Sequence, residues 1–258
     1  MELLGFGIKE LTTFLLVLFR VGGIFTTAPV FGNVNVTPMA RVAMALAFSF
    51  VFLPMASYNA PELAVFTFLL AVVKEILIGV VMGFMVSMVF AAIQMAGAFV
   101  DLQVGFGFAN IVDPMIKERN AVLGQLQNLA ATLLFLAING HHLVIRGLAD
   151  SFAVLPLGTM SLSPNISGGL MGLFATIFLA ALKIGAPVVG AIFLTDVSLG
   201  ILARTVPQLN VFVVGFPAKL TVGLVAVLAV MPVAFVVMGR LFMGLHSDIL
   251  VLLKNFSP

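Results

Sequence analysis

The chain has 258 residues, 62% of them hydrophobic and 9% charged, with a formal net charge of +2 and no cysteine. Soluble domains carry about 25% charged residues, so this composition specifies an integral membrane protein, and its apolar runs are far longer than strands, which makes the class all-α. The absent cysteines exclude disulfides, thiol catalysis and cysteine-ligated metals, and without a basic cluster the charge gives no reason to expect nucleic acid.

Glu2 comes before any basic residue, and the apolar run 11–19 leads into Arg20 without a small-residue cleavage site. The segment therefore reads as mature chain rather than a secretory signal. Residues 11–31 are apolar but broken by Arg20, Gly22, Gly23 and Pro29. A turn at Asn33, Asn35 and Pro38 leads to a second apolar segment, 42–52, which ends at Pro54. A third element starts near Leu63 and passes Lys74 and Glu75 to reach about Val100. Apolar helix 121–138 follows, then an amphipathic piece from Asn139 to Asp150 and a Pro/Gly/Ser-rich loop over 155–164. A long apolar element runs over 166–202, interrupted by Lys183, Pro187 and Asp196. Residues 205–217 read as a second non-helical apolar stretch, containing Pro207, Asn210, Phe212, Gly215 and Pro217. Helix 220–239 and a short amphipathic tail, 242–253, end the chain. The expected architecture is about six long hydrophobic helices arranged as hairpins, with two non-helical apolar loops and no soluble domain. Lysines and arginines are spread too evenly to orient it by the positive-inside rule.

The first of those loops is the centre of the chain. It comprises Gly105, Phe106, Gly107, Phe108, Ile111, Val112, Asp113 and Pro114, between uncharged runs 76–100 and 121–138. Gly105 and Gly107 favour non-helical backbone, and Pro114 stops a helix ahead of it. A loop so apolar at membrane depth needs its backbone groups satisfied inside protein or along a cavity. It is either a hydrophobic turn tucked against its own helices or a segment that lines or closes a pore. Just before it, Gln94, Asp101 and Gln103 give the third element a polar end, which reads as a helix terminus reaching water.

Glu75, Gly79, Gly83, Ser87 and Ala91 recur every four residues on one helix face. The last four make a ridge of small residues that admits close backbone approach. Glu75 at its head needs a partner: Lys74, a lipid headgroup or another subunit. Arg20, Lys183, Asp196, Arg204 and Lys219 interrupt or flank apolar runs, each costing about 3 kcal/mol at the bilayer midplane if unpaired. A pair such as Asp196 with Arg204 accounts for some of them. The rest call for a multi-chain complex or a water-filled path, which places Glu75, Gly79, Gly83, Ser87, Arg20, Lys183 and Arg204 at helix-packing and subunit contacts. His141 and His142 diverge by about 100° on a helix, no acidic cluster joins them, and no metal or cofactor is expected. With 25 Phe but one Tyr and no Trp, the usual interfacial belt is nearly missing, so ordinary lipid is not the whole environment. Two functions stand on these residues: a subunit of a macromolecular conduit, and a secondary transporter of a small solute built on broken helices.

Several stretches together carry a family resemblance. They are Arg20-Val-Gly-Gly with Ala28-Pro29-Val-Phe; Gln103-Val-Gly-Phe-Gly-Phe-Ala with Val112-Asp113-Pro114; Asn139-Gly140-His141; Leu155-Pro156; and Arg204 followed by Pro207-Gln208-Leu-Asn210-Val-Phe212 and Gly215-Phe216-Pro217. The chain resembles, over essentially its whole length, the FliR family of flagellar type III export apparatus membrane proteins, with relatives of SpaR and YscT type in injectisomes. The resemblance implies a core export gate shared with FliP-like and FliQ-like subunits and an associated FlhB-like protein, in the bacterial inner membrane at the flagellar basal body. It implies helical hairpins wound into an assembly partly raised toward the periplasm, with residues 1–119 FliP-like and 120–258 including a FliQ-like part. It further implies that the loop at 105–114 plugs the pore, that unfolded flagellar subunits pass through, and that the chain itself hydrolyses nothing.

Overall fold

The computed structural model describes residues 2–33, 35–56, 65–106, 121–161, 166–208 and 210–256. Among them every regular element is helical. The order is α1 (Glu2–Thr27), α2 (Pro38–Phe52) with a 3-10 turn at Leu53–Met55, α3 (Val65–Val104), α4 (Val122–Ala137), α5 (Gly140–Val154), α6 (Ile166–Thr205) and α7 (Val211–Lys254). Five described helices are long and apolar enough to cross a membrane, or six if α4 and α5 together make one broken span. Asn139 separates those two in the left-handed conformation, φ 57°, and its carbonyl accepts from His142 N–H at 2.9 Å.

Three boundaries differ from the sequence reading. Arg20, Gly22 and Gly23 do not break α1, because Arg20 is satisfied sideways and the glycines sit inside an unbroken helical ladder. The tail 242–253 is not a separate piece but the end of α7. The second apolar loop is much shorter than 205–217. Pro207 ends α6 two residues earlier, and Asn210 opens α7 by accepting from Val213 N–H at 3.0 Å and Val214 N–H at 3.3 Å. Phe212, Gly215 and Pro217 therefore lie in the first turns of α7. Pro217 removes one ladder donor, as membrane helices tolerate, and its carbonyl accepts from Thr221 Oγ1 at 2.8 Å.

The chain divides into two compact units. The first holds Met1–Val89, Asn139–Phe174 and Phe242–Pro258; the second holds Phe90–Ile138 and Ala175–Leu241. In the first unit, α1 buries a stripe of Leu16, Val17, Arg20, Val21, Ile24 and Phe25, the three-and-four spacing of one helix face. Phenylalanines extend that face: Phe25 stacks near Phe48 (5.4 Å), Phe48 near Phe52 (6.0 Å) and Phe52 near Phe152 of α5 (5.9 Å). The second unit has its core at Val100, Val104, Leu123, Val188, Ile192 and Val227, with Phe106, Leu220 and Val230 packed on its margin.

Candidate functional site

The first unit is organised around one buried charge pair. Arg20 and Glu75 both have zero exposure. Arg20 Nε donates to Glu75 Oε2 at 2.5 Å. Its Nη1 donates to the Ser151 carbonyl at 3.1 Å and to Ser151 Oγ at 3.2 Å, and Nη2 to the Leu155 carbonyl at 3.0 Å. The guanidinium also lies 4.6 Å from the Phe152 ring centre. Glu75 Oε1 accepts from Gly158 N–H at 2.8 Å, so both carboxylate oxygens are occupied. Lys74, the neighbour expected as a partner, instead reaches the Gly158 carbonyl at 3.4 Å. Glu75 thus pairs within its own chain, not with Lys74, a headgroup or another subunit. The pair ties α1, α3, α5 and the turn at 155–158 together. Burying ions is costly, and it is sustained here because every guanidinium nitrogen has an acceptor.

The small-residue ridge explains how the helices approach closely enough. A Cβ on Gly79 would strike the Arg20 carbonyl, and one on Gly83 would strike Thr27 Oγ1. On the facing side, a Cβ on Gly23 would come within 2.9 Å of Val80 N. Gly79 and Gly83 therefore take α1 of the same chain against them. Ser87 is only half-buried, its hydroxyl donating to the Phe84 carbonyl at 2.7 Å, and Ala91 is exposed.

In the second unit α3 and α4 touch backbone to backbone, since a Cβ on Gly97 would sit 2.5 Å from Gly124 Cα. Helix α4 is preceded by Ala121, whose side chain has no acceptor. Asp101 of α3 supplies one: its carboxylate accepts from Leu123 N–H at 3.0 Å and from Gly124 N–H at 3.4 Å. This corrects the reading of Asp101 as a terminus in water, for the residue is 4% exposed. The contact fixes the two ends of the central loop. At its entry Gly105 turns with φ 98°, a conformation that favours glycine, and Phe106 packs on the unit's core. Gly107, Phe108, Ile111, Val112, Asp113 and Pro114 lie outside the described residues.

A groove of about 620 Å³ is lined by Gln103, Gly105, Asp196, Gly215, Phe216 and Lys219, among others. It brings the start of the central loop beside the Gly215–Phe216 stretch that sequence reading had placed in the second loop. Lys219 bonds Asp196 there at 2.6 Å, so Lys219, not Arg204, is the partner of Asp196. Lys183, Arg204 and Arg240 are exposed. His246 bonds Asp150 at 2.8 Å in the first unit.

The family model for bacterial export proteins, family 1, matches residues 11–245. The chain belongs to that family. It is similar to the flagellar biosynthetic protein FliR of Bacillus subtilis (strain 168), 37% identical over 239 residues, which are 89% of this chain and 90% of the relative. It is similar to the protein of the same name in Escherichia coli (strain K12), 37% identical over 217 residues, 83% of this chain and 82% of the relative. It is also similar to the Yop proteins translocation protein T of Yersinia pestis, 28% identical with 82% of each chain covered. The resemblance drawn from the sequence motifs is thereby shown. The alternative of a small-solute transporter has no support among these relatives, which are named for flagellar biosynthesis and protein translocation.

Proposed function

We propose that this family member is a subunit of the flagellar type III protein export gate, a membrane conduit for unfolded flagellar subunits. The observation that carries the reading is the family match across 11–245. In this reading the chain works with FliP-like and FliQ-like subunits and an FlhB-like protein in the bacterial inner membrane at the flagellar basal body. It is structural and catalyses nothing itself. Residues 1–119 form the FliP-like part, and 120–258 include the FliQ-like part. Helix lengths support an assembly partly raised from the bilayer toward the periplasm. Helices α3 and α6 have 40 residues each and α7 has 44, about 60 Å or more of rise against a hydrocarbon core of about 30 Å. Exposed apolar side chains along α6 and α7, such as Phe193, Leu194, Leu228 and Val233, support burial by other chains and by lipid. Lys183 and Arg204, both expected at subunit contacts, are exposed as well.

The central loop is the plug. A gate wide enough for polypeptide must hold back ions when idle, and apolar groups do so by bulk and dewetting where polar ones would hydrate and leak. Phe106 and Phe108 supply the bulk, with Ile111 and Val112. Gly105 and Gly107 give the hinge, and Asp113-Pro114 anchors the far end. The Asp101 contact supports this reading, because it ties together the two helix ends from which the loop departs.

The direct test of the function is secretion. Removing this chain from a flagellated cell should stop export of flagellin, and restoring it should recover export; normal secretion without it would contradict the proposal. For the plug, deleting residues 105–112 should leave the complex assembled but conductive to small ions, with Phe106→Ala plus Phe108→Ala leaking less. Equal conductance of an intact deletion complex would make the loop a packed turn.

A further inference from the structure

The second unit has an unbalanced set of charges. Its described cations are Lys183, Arg204, Lys219 and Arg240, and its described carboxylates are Asp101 and Asp196. Asp101 is engaged at the start of α4 and Asp196 is engaged by Lys219. No counter-ion within the unit's described residues is left for Lys183 or Arg240. Yet these two cations, one on α6 and one on α7, line the same cavity of about 330 Å³, whose walls include Leu179, Ala180, Val237 and Leu241. Two exposed cations over an apolar floor repel each other and gain from a shared anion with several acceptor oxygens.

The position of the cavity along α7 says which anion. Residues 220–239 are an uncharged run of twenty, bounded by Lys219 at one end and Arg240 at the other. At 1.5 Å per residue that run covers about 30 Å, one hydrocarbon thickness. When it spans, Arg240 stands at headgroup depth, and the four-carbon stem of Lys183 brings its ammonium to the same cavity. A carboxylate would meet the charge but leave the apolar walls unused. A phosphodiester with its glycerol and first methylenes matches both parts. We propose that this cavity binds the phosphate of an anionic phospholipid, held between Arg240 and Lys183 with its apolar end against Leu179 and Val237. The site needs residues 220–239 of α7 to span the bilayer, so within the export reading it belongs to the part of the assembly that stays in the membrane.

The test is a lipid titration of the purified full chain in mild detergent, read by native mass spectrometry, with phosphatidylglycerol and phosphatidylethanolamine as probes. Each cation near an anionic headgroup contributes roughly fivefold in affinity, so Lys183→Gln with Arg240→Gln should weaken phosphatidylglycerol binding about thirtyfold. Phosphatidylethanolamine binding should not change, and Lys9→Gln, an exposed cation elsewhere, should leave both lipids unaffected. Lys183→Arg with Arg240→Lys keeps both charges and should stay within about fivefold of the parent. The proposal is overturned if the double glutamine variant binds phosphatidylglycerol like the parent, if the two lipids bind the parent equally, or if the charge-keeping variant loses binding as fully. A zero-length carbodiimide crosslink from Lys183 to a carboxylate of another subunit in the intact complex would also overturn it, making the cavity a protein contact.

Discussion

The two units place their ion pairs differently, one fully buried and one partly exposed. In the first, Arg20 and Glu75 have no exposure, and all their polar atoms are matched by each other and by Ser151, Leu155 and Gly158 of the same chain. In the second, Asp196 and Lys219 are about one-third exposed, while Lys183, Arg204 and Arg240 face outward. Buried, fully bonded ions specify one arrangement of the helices around them, because any other leaves a charge in an apolar interior. Exposed cations on apolar helices specify an arrangement that other molecules complete. The Arg20–Glu75 pair thus fixes the helices of the first unit from within, whereas under the proposed function Lys183, Arg204 and Arg240 of the second are met by other molecules.

The largest effect should come from breaking the first unit's pair. Glu75→Gln leaves Arg20 charged and buried, and should cost about 3–5 kcal/mol, seen as a lowered melting temperature of the free chain. Replacing both, Arg20→Met with Glu75→Leu, should recover a good part of that loss, because no buried charge remains. A single variant as stable as the parent would mean the pair is hydrated. Gly83→Leu comes next. It drives a side chain into Thr27 and Ala28, and overpacking of this kind costs about 1–3 kcal/mol, more where backbones touch. Because the facing helix is α1, the free chain itself should lose stability before any partner is added. Unchanged melting of the free chain would place the ridge against another subunit after all.

Those two variants also mark what was legible in the sequence. A charge in an apolar run and glycines at four-residue spacing are local signals, so Arg20, Glu75, Gly79 and Gly83 could be picked out directly. Their partners could not. Arg20 and Glu75 are 55 positions apart, and their meeting depends on how α1 lies on α3, which spacing within one helix does not encode. The same limit hid Asp101, whose acceptor role depends on α4 arriving beside it. Pro217 misled for a different reason. Proline reads as a breaker in water, but after the Asn210 start it falls inside α7, where loss of one ladder donor is tolerated. Helix number and class were plain because runs of twenty apolar residues have few other solutions.

Smaller effects sharpen the contrast further. Asp101→Ala should cost about 1–2 kcal/mol, the usual loss of a helix cap, and hydrogen exchange at the Leu123 and Gly124 amides should speed up. No change in exchange would remove Asp101 from the base of the loop. Lys219→Gln should be the mildest, below about 1 kcal/mol, as a partly exposed ion pair allows. A loss as large as that of Glu75→Gln would erase the distinction between the units.

The central claim is that the second unit is completed by other chains of an export gate. The direct measurement is hydrogen–deuterium exchange of α6 and α7 in the chain alone and co-expressed with FliP-like and FliQ-like subunits, in the same mild detergent. The account predicts one stable complex, with protection gained chiefly over α6 and α7 and little change along α1 at Arg20. Equal exchange in both samples, with a chain that stays monomeric and melts at the same temperature, would contradict it.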